Sequence, residues 1–228
     1  MNCKNQVVTI AKIVNGGYGL AEAEGRKTLF VRYGLPGETV SVEITEEKKR
    51  ICFGHVVKVH SPVSGRTTPP CPYYGRCGGC NLQHADYATQ KGLKESILED
   101  LFARSPQAGN ILENGVLKPI LGAEEPFGYR QRIRMKIDDR DNPGFAHFRS
   151  NKVIEVEKCL LVVEPVNTCL TQLRSQPDFK PLAAIAEEIE LCFDQLSGSV
   201  ALRLLLSRPA RPADRRRAIA LTGAIEAV

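Results

Sequence analysis

No stretch of the chain approaches the ~18 uninterrupted apolar residues of a membrane span, and the opening MNCKNQVVTIAK lacks the basic-then-apolar layout of a secretion signal. A cytoplasmic protein without membrane contact is therefore expected. Familiar catalytic spacings are missing as well. The histidines at 55, 60, 84 and 147 form no spaced metal motif, no G-x-S-x-G elbow occurs, and no G-x-G-x-x-G follows a strand and opens a helix. The turn Gly16-Gly17-Tyr18-Gly19 has neither the following helix nor the Lys-Ser/Thr ending of a phosphate cradle. His84, beside Gln83, reads as a hydrogen-bonding residue that supports its loop. There is no credible pair of nucleophile and base, no internal repeat and no low-complexity tract.

What is present is a chain of 228 residues with 43% hydrophobic and 25% charged side chains, room for about two domains of ~100–150 residues. Thirty-one Lys and Arg stand against 26 Asp and Glu, a net charge of +5, which leans mildly towards polyanionic partners. Eight cysteines occur, at 3, 52, 71, 77, 80, 159, 169 and 192. In a reducing compartment they point to a metal or to catalysis rather than to a disulfide framework.

Residues 6 to 60 read as four or five short strands, VVTIAKIV, TLFVRY, ETVSVEIT and CFGHVVKVH, parted by turn residues and a charged EEKKR. That density predicts a small barrel of the oligonucleotide-binding type. SPVSGRTTPP (61–70) marks a boundary. The spacing of Leu93, Ile97, Leu98 and Leu101 predicts an amphipathic helix over 86–103. Strand texture returns in VLKPIL, YRQRIRMKID, GFAHFR and NKVIEVE, followed by helical stretches at 164–174 and 180–194, a strand at 199–207 and a helix from Pro212. That last helix meets no stop signal, so the chain reads as cut rather than finished.

The most specific signal is CPYYGRCGGCNLQH, residues 71–84. Cys71-x5-Cys77-x2-Cys80 gathers three thiols that can serve one centre, Gly78 and Gly79 permit a sharp turn around it, and neighbouring prolines stiffen the approach. A zinc ion or an iron–sulfur cluster usually takes four ligands, so a distant cysteine has to join. Cys159 ends the NKVIEVEKC strand and is the choice; Cys192 sits on an apolar face and reads as core. Spacing alone leaves zinc and iron–sulfur nearly balanced.

YRQRIRMKID carries a second signal. In a strand, Arg130, Arg132, Arg134 and Lys136 project to one face and Gln131, Ile133, Met135 and Ile137 to the other. Four cations without an interleaved acid suit contact with phosphates, the alternative being the solvated outer face of a half-buried sheet. Arg149 and Lys152 extend the patch. A further basic group, Arg208, Arg211, Arg215, Arg216 and Arg217, opens the final helix, where the helix dipole disfavours positive charge.

The order of these parts, a small barrel, CPYYGRCGGCNLQH, a helix with Tyr87 and Gln90, YRQRIR and GFAHFRSNKVIEVEKC, resembles the RNA uracil-C5 methyltransferases, in particular the 23S ribosomal RNA branch. The resemblance implies an RNA-binding TRAM domain at 1–62 and, at 63–228, a central domain in which Cys71, Cys77, Cys80 and Cys159 hold a 4Fe–4S cluster, with zinc as the alternative. The fold class expected is mainly β with α: a five-stranded barrel of the oligonucleotide-binding type, then an α+β domain bearing an iron–sulfur site. Such enzymes continue into a Rossmann-like methyltransferase domain. Neither its glycine-rich S-adenosylmethionine loop nor a cysteine followed by Asn-Pro occurs in this chain, so that domain is expected to be absent. No catalytic and no S-adenosylmethionine-binding residue is assigned. The function expected is the RNA-binding, cluster-bearing N-terminal portion of an S-adenosylmethionine-dependent methyltransferase. Its RNA-contact residues are Arg130, Arg132, Arg134 and Lys136, its partner is 23S rRNA rather than tRNA, and it is a monomer. The alternative is a stand-alone RNA-binding or ribosome-associated iron–sulfur or zinc module without catalysis.

Overall fold

The structure, a computed structural model, describes residues 5–105, 115 and 117–225. The chain folds into two compact units, one made of Met1–Pro70 with Cys80–Gly122, the other of Cys71–Gly79 with Ala123–Val228. The boundary expected from sequence lies after residue 62. Among the described residues no helix is long and apolar enough to cross a membrane.

The first unit is built on six strands rather than five: β1 (Asn5–Thr9), β2 (Lys12–Val14), β3 (Tyr18–Ala23), β4 (Lys27–Arg32), β5 (Thr39–Glu47) and β6 (Ile51–Ser61), in the order β1-β5-β6-β4-β3-β2. All neighbours are antiparallel except β4 and β6. The run expected as one strand, VVTIAKIV, breaks at Ile10 and Ala11, whose amides bond instead to the Glu38 and Leu20 carbonyls at 2.9 and 2.8 Å. β3, YGLAEA, is the strand that the sequence pattern does not show, because it lacks the β-branched residues that mark one. Alternation along β4 and β6 sends Leu29, Val31 and Cys52 into the core with Val40 and Val42.

Helix α1 (Tyr87–Ala103) belongs to this unit, and Asp86 caps it by accepting the Thr89 amide at 2.7 Å. Of its four expected core residues only Leu93 is buried, against Ile13, Leu35 and Ala85; Leu98 and Leu101 are exposed.

The second unit carries five antiparallel strands, β7 (Arg132–Ile137), β8 (Pro143–Ala146), β9 (Val153–Glu155), β10 (Ala186–Phe193) and β11 (Val200–Leu206), ordered β11-β10-β7-β8-β9. With them stand helices α2 (Glu164–Ser175), α3 (Phe179–Ala183) and α4 (Pro212–Ala224). The helix expected over 180–194 is a correction: only α3 is helical, and the remainder is the inner strand β10. Its apolar residues also fit a helical spacing, but ladders to β7 and β11 satisfy its backbone on both edges, and Ile189 and Leu191 point inward. Residues 117–121, within a stretch expected as a strand, have no regular structure.

The expected fold class is corrected in one more respect. Among the described residues no group of three or more His, Cys, Asp or Glu side chains could hold a metal ion. What fills the second unit is apolar packing, Met135, Leu170, Leu173, Leu182, Ile189 and Leu191 among others.

Candidate nucleic-acid interface and cysteine site

On the face of the first sheet opposite Leu29 and Val31, strand alternation brings out Tyr18 from β3, Phe30 and Arg32 from β4, and Phe53 and His55 from β6. Phe30 and Phe53 are register partners and stack at 5.2 Å between centroids, 21° from parallel. Tyr18 meets both edge-on at 6.0 and 6.1 Å. Lys48 lies 5.7 Å from the Phe53 centroid, and Arg32 packs at 4.5 Å over Tyr33. Aromatic rings on an open sheet with cations at their margin make a platform on which nucleobases can stack. Sequence reasoning missed it, because the three rings come from strands far apart in the chain. The signal available was one aromatic per strand at alternating positions.

Beneath this sheet two buried polar groups sit in the same unit. Glu38 is fully buried and is gripped by Arg66, one guanidinium nitrogen lying 2.7 Å from Oε2, while the Leu35 amide donates to the same oxygen at 2.9 Å. Burial alone would raise this carboxyl, but Arg66 and the amide outweigh it and hold the pKa below the ordinary value. His84, 1% exposed and edge-on to Tyr33, is pushed down to about 4 by burial and by the Arg66 charge, so it is neutral at pH 7. That agrees with its reading as a supporting residue.

In the second unit, the loop 71–79 lies against the end of β8. The Cys77 backbone bridges to that of His147, and the Gly78 amide bonds to the Ala146 carbonyl at 3.0 Å. A Cβ at Gly78 would come within 3.1 Å of that carbonyl and 3.2 Å of the Phe148 Cα; the glycine permits the close approach. The Tyr73 hydroxyl accepts the Glu157 amide at 3.1 Å, fastening the loop to the segment after β9 (Val153–Glu155). The Cys77 and Cys159 thiols are both raised, chiefly by burial. Cys71 adds to the rise at each, and Cys77 adds to it at Cys159, so three of the four expected ligands share one electrostatic neighbourhood. The Gly79 amide at 3.4 Å opposes the rise at Cys77, and the Leu161 amide and Arg130 oppose it at Cys159. Asn167 fixes Cys159 by accepting its amide at 3.0 Å and donating to its carbonyl at 3.1 Å. Cys80 falls in the first unit. Cys52 and Cys169 are core residues, and burial pushes Cys169 up to about 11. Cys192 lies beside Arg132 across the ladder rather than in the core, and Cys3 lies outside the described residues.

The basic strand is only partly as expected. Arg132, Arg134 and Lys136 share one face of β7, whereas Arg130 lies before the strand, bridged to Val162 and close enough to Cys159 to act on its thiol. The missing acids come from β10: Glu190 takes a hydrogen bond from Arg132 and lies 3.7 Å from Arg203, and Glu188 lies 3.7 Å from Arg134. These contacts raise the Arg132 pKa and lower that of Glu190. Four cations against two carboxylates leave this face at about +2. The second basic group has a local partner too. Asp214, buried in the first turn of α4, accepts from Arg208 at 2.7 Å and from the Arg211 amide at 2.9 Å, with Arg217 at 3.9 Å.

The first of these units is of a known class. The TRAM domain family matches residues 1–57. Over most of its length the chain is homologous to RNA uracil-C5 methyltransferases. It is 36% identical over 179 residues to the 23S rRNA (uracil(1939)-C(5))-methyltransferase RlmD of Chromohalobacter salexigens, covering 74% of this chain and 36% of that protein. It is 34% identical over 174 residues to an uncharacterized RNA methyltransferase of Aquifex aeolicus, covering 76% and 40%. The chain thus spans about two fifths of the length of these curated relatives. Its fold is that of part of the Pyrococcus abyssi tRNA (uracil-54, C5)-methyltransferase crystallised with S-adenosyl-L-homocysteine. The TM-score is 0.60 at 19% identity, over 92% of this chain and 48% of that one.

Two expectations are corrected by these matches. The chain is not set apart from the methyltransferase fold, since nearly all of it runs along a methyltransferase. Nor does the reading as a merely RNA-binding, cluster-bearing portion, or as a stand-alone module without catalysis, stand against relatives that are each named as methyltransferases.

Proposed function

We propose that this protein serves S-adenosylmethionine-dependent methylation of uracil C5 in RNA, with 23S rRNA as the substrate class. The observation that carries the RNA side of this reading is the Tyr18, Phe30 and Phe53 platform with its cationic margin. Uracil C5 becomes nucleophilic only after a nucleophile adds at C6, and the base has to leave its stack for that to happen. Rings that hold neighbouring unpaired bases lower the cost of keeping the RNA open, at about 1–3 kcal/mol per stacked base. S-adenosylmethionine supplies the methyl group. Arg132, Arg134 and Lys136 add a moderated positive face, which favours phosphate contact without strong non-specific attraction; Arg130 is assigned to the same contact.

Deleting the gene is expected to abolish one 5-methyluridine in 23S rRNA, mapped by mass spectrometry of nuclease digests. The wild-type gene restores it, and a Phe30→Ala/Phe53→Ala gene restores it only in part. If the 5-methyluridine content of both rRNA and tRNA is unchanged by the deletion, the proposal fails. Loss from tRNA alone would replace the substrate class.

The cofactor reading is part of the same proposal. Thiolates on one zinc ion, at Zn–S distances of ~2.3 Å, stand about 3.8 Å apart; a 4Fe–4S cluster spreads its four thiolates more widely. Cys71, Cys77 and Cys159 act on one another's thiols, and the cluster reading takes these three with Cys80, whose place in Cys71-x5-Cys77-x2-Cys80 makes it the fourth ligand. Here the cluster would tie the 71–79 loop to the segment after β9. Protein prepared without oxygen is expected to be brown with about four irons per chain, and Cys159→Ser to lose most of that iron. Stoichiometric zinc, or iron indifferent to Cys159→Ser, would overturn it.

A further inference from the structure

A cavity of about 480 Å³ opens in the second unit between the Gly78-Gly79 turn, the basic face of β7 and the hairpin that joins β8 to β9. Its volume lies within the range of small-ligand sites, about 300–1,000 Å³. Arg134 and Lys136 of β7 and Phe148 and Arg149 of the hairpin tip are among its lining residues. Glu188 is the one carboxylate among its lining residues and lies 3.7 Å from Arg134, so three cations face one anion. Arg149 is held at φ 49°, a left-handed conformation uncommon for a residue with a side chain. Its guanidinium lies 5.6 Å from the Phe148 centroid, and the ring itself is half-buried. Part of the lining is backbone: Gly78 and Gly79 bring no side chains, and the backbone bridge from Cys77 to His147 and the Gly78 bond to Ala146 fix the turn against the hairpin. A groove with a net positive rim, aromatic lining and exposed main chain suits a ligand that is flat at one end and anionic at the other.

We propose that this cavity holds one unpaired nucleotide of the substrate RNA, its phosphate on Arg134, Lys136 and Arg149 and its base against Phe148. This rests on the RNA reading above and adds a site, separate from the aromatic platform of the first unit. The two sites differ in chemistry. The platform offers three rings on one sheet face and suits a run of bases, whereas the cavity sets three cations beside the Phe148 ring and suits a single base with its phosphate. The left-handed Arg149 serves that purpose by turning its guanidinium across the Phe148 ring at the hairpin tip.

The test measures binding of a uridine-rich single-stranded RNA 12-mer, and of the same sequence as a duplex, by fluorescence anisotropy at several salt concentrations. The proteins compared are wild type, Lys136→Gln, Arg149→Asn, Phe148→Leu and Phe53→Ala. Asparagine tolerates a left-handed backbone, so Arg149→Asn removes the charge without adding strain. Lys136→Gln and Arg149→Asn are each expected to weaken single-strand binding several-fold and to lower the salt slope by about one. Phe148→Leu is expected to weaken the single strand about fivefold or more and to leave the duplex unchanged. Adding uridine monophosphate at millimolar concentration discriminates a site for free nucleotide: it weakens wild-type RNA binding to the Phe148→Leu level only if the nucleotide enters alone, which would overturn the assignment to RNA, and no competition is expected. Wild-type affinity and salt slope in all three cavity variants, with Phe53→Ala still impaired, would overturn the cavity and leave the RNA reading standing. No RNA binding by the wild type would overturn both.

Discussion

Replacing Arg66 by alanine is expected to destabilise the protein by about 3 to 5 kcal/mol, the range for removing one partner of a buried ion pair. Glu38 has no exposed surface, and its two oxygens take their bonds from Arg66 and the Leu35 amide. Arg66 also donates to the Tyr33 carbonyl at 2.6 Å, so its removal strands a backbone acceptor as well as a carboxylate. Lysine cannot reproduce this, because one ammonium does not span both carboxylate oxygens and the carbonyl; Arg66→Lys should recover only a small part of the loss. Urea unfolding at pH 7 checks it. If Arg66→Ala moves the midpoint by less than the equivalent of about 1 kcal/mol, the carboxyl relaxes or takes a proton without cost. Pairing Arg66→Met with Glu38→Gln should restore most of the lost stability, since no charge then remains buried.

Acid is expected to weaken the same unit through His84. Its folded pKa of about 4 lies below the ordinary 6.5, so between those values the unfolded chain binds a proton that the folded chain refuses. The sign follows from that difference: the contribution is fully present above pH 6.5 and is lost as pH falls towards 4. Between pH 7 and pH 5 the loss is about 2 kcal/mol. Glu38, whose pKa is lowered, adds to the decline only at lower pH, where carboxylates titrate. The measurement is the unfolding midpoint at pH 7 and at pH 5 for the wild type and for His84→Gln. The variant should be less stable at pH 7 and nearly independent of pH across this window. Equal slopes in the two proteins would remove His84 as the cause.

How far the sequence carries can be judged from particular residues. β4, β5 and β6 are legible because TLFVRY, ETVSVEIT and CFGHVVKVH are dense in β-branched and aromatic residues; the extent of α1 is legible too, but not its buried face, since of the spaced residues only Leu93 is buried. β10 is not, since Ile189, Cys192 and Phe193 satisfy a helical and a strand period alike and the ladders that decide between them come from β7 and β11. The same distance effect governs the sites. Cys71, Cys77 and Cys80 announce themselves within ten residues. The carboxylates that moderate Arg132 and Arg134 lie more than fifty residues further along the chain, and no reading of YRQRIRMKID alone could place them. The aromatic platform stays hidden for that reason as well: Tyr18, Phe30 and Phe53 meet only once the sheet has formed.

The nine-residue loop 71–79 groups with the second unit, while residues on both sides of it group with the first. The chain therefore changes unit at 70/71, at 79/80 and again at 122/123. No single scission divides this polypeptide into two intact halves, and neither half can be excised as a contiguous gene fragment. On the ribosome, Gly78 emerges long before its partner Ala146, so the first unit is synthesised through Gly122 while the loop it surrounds still awaits the strand it pairs with. The CGGC turn is thus a late closure made by an early segment, which finds its backbone partners only when β8 arrives.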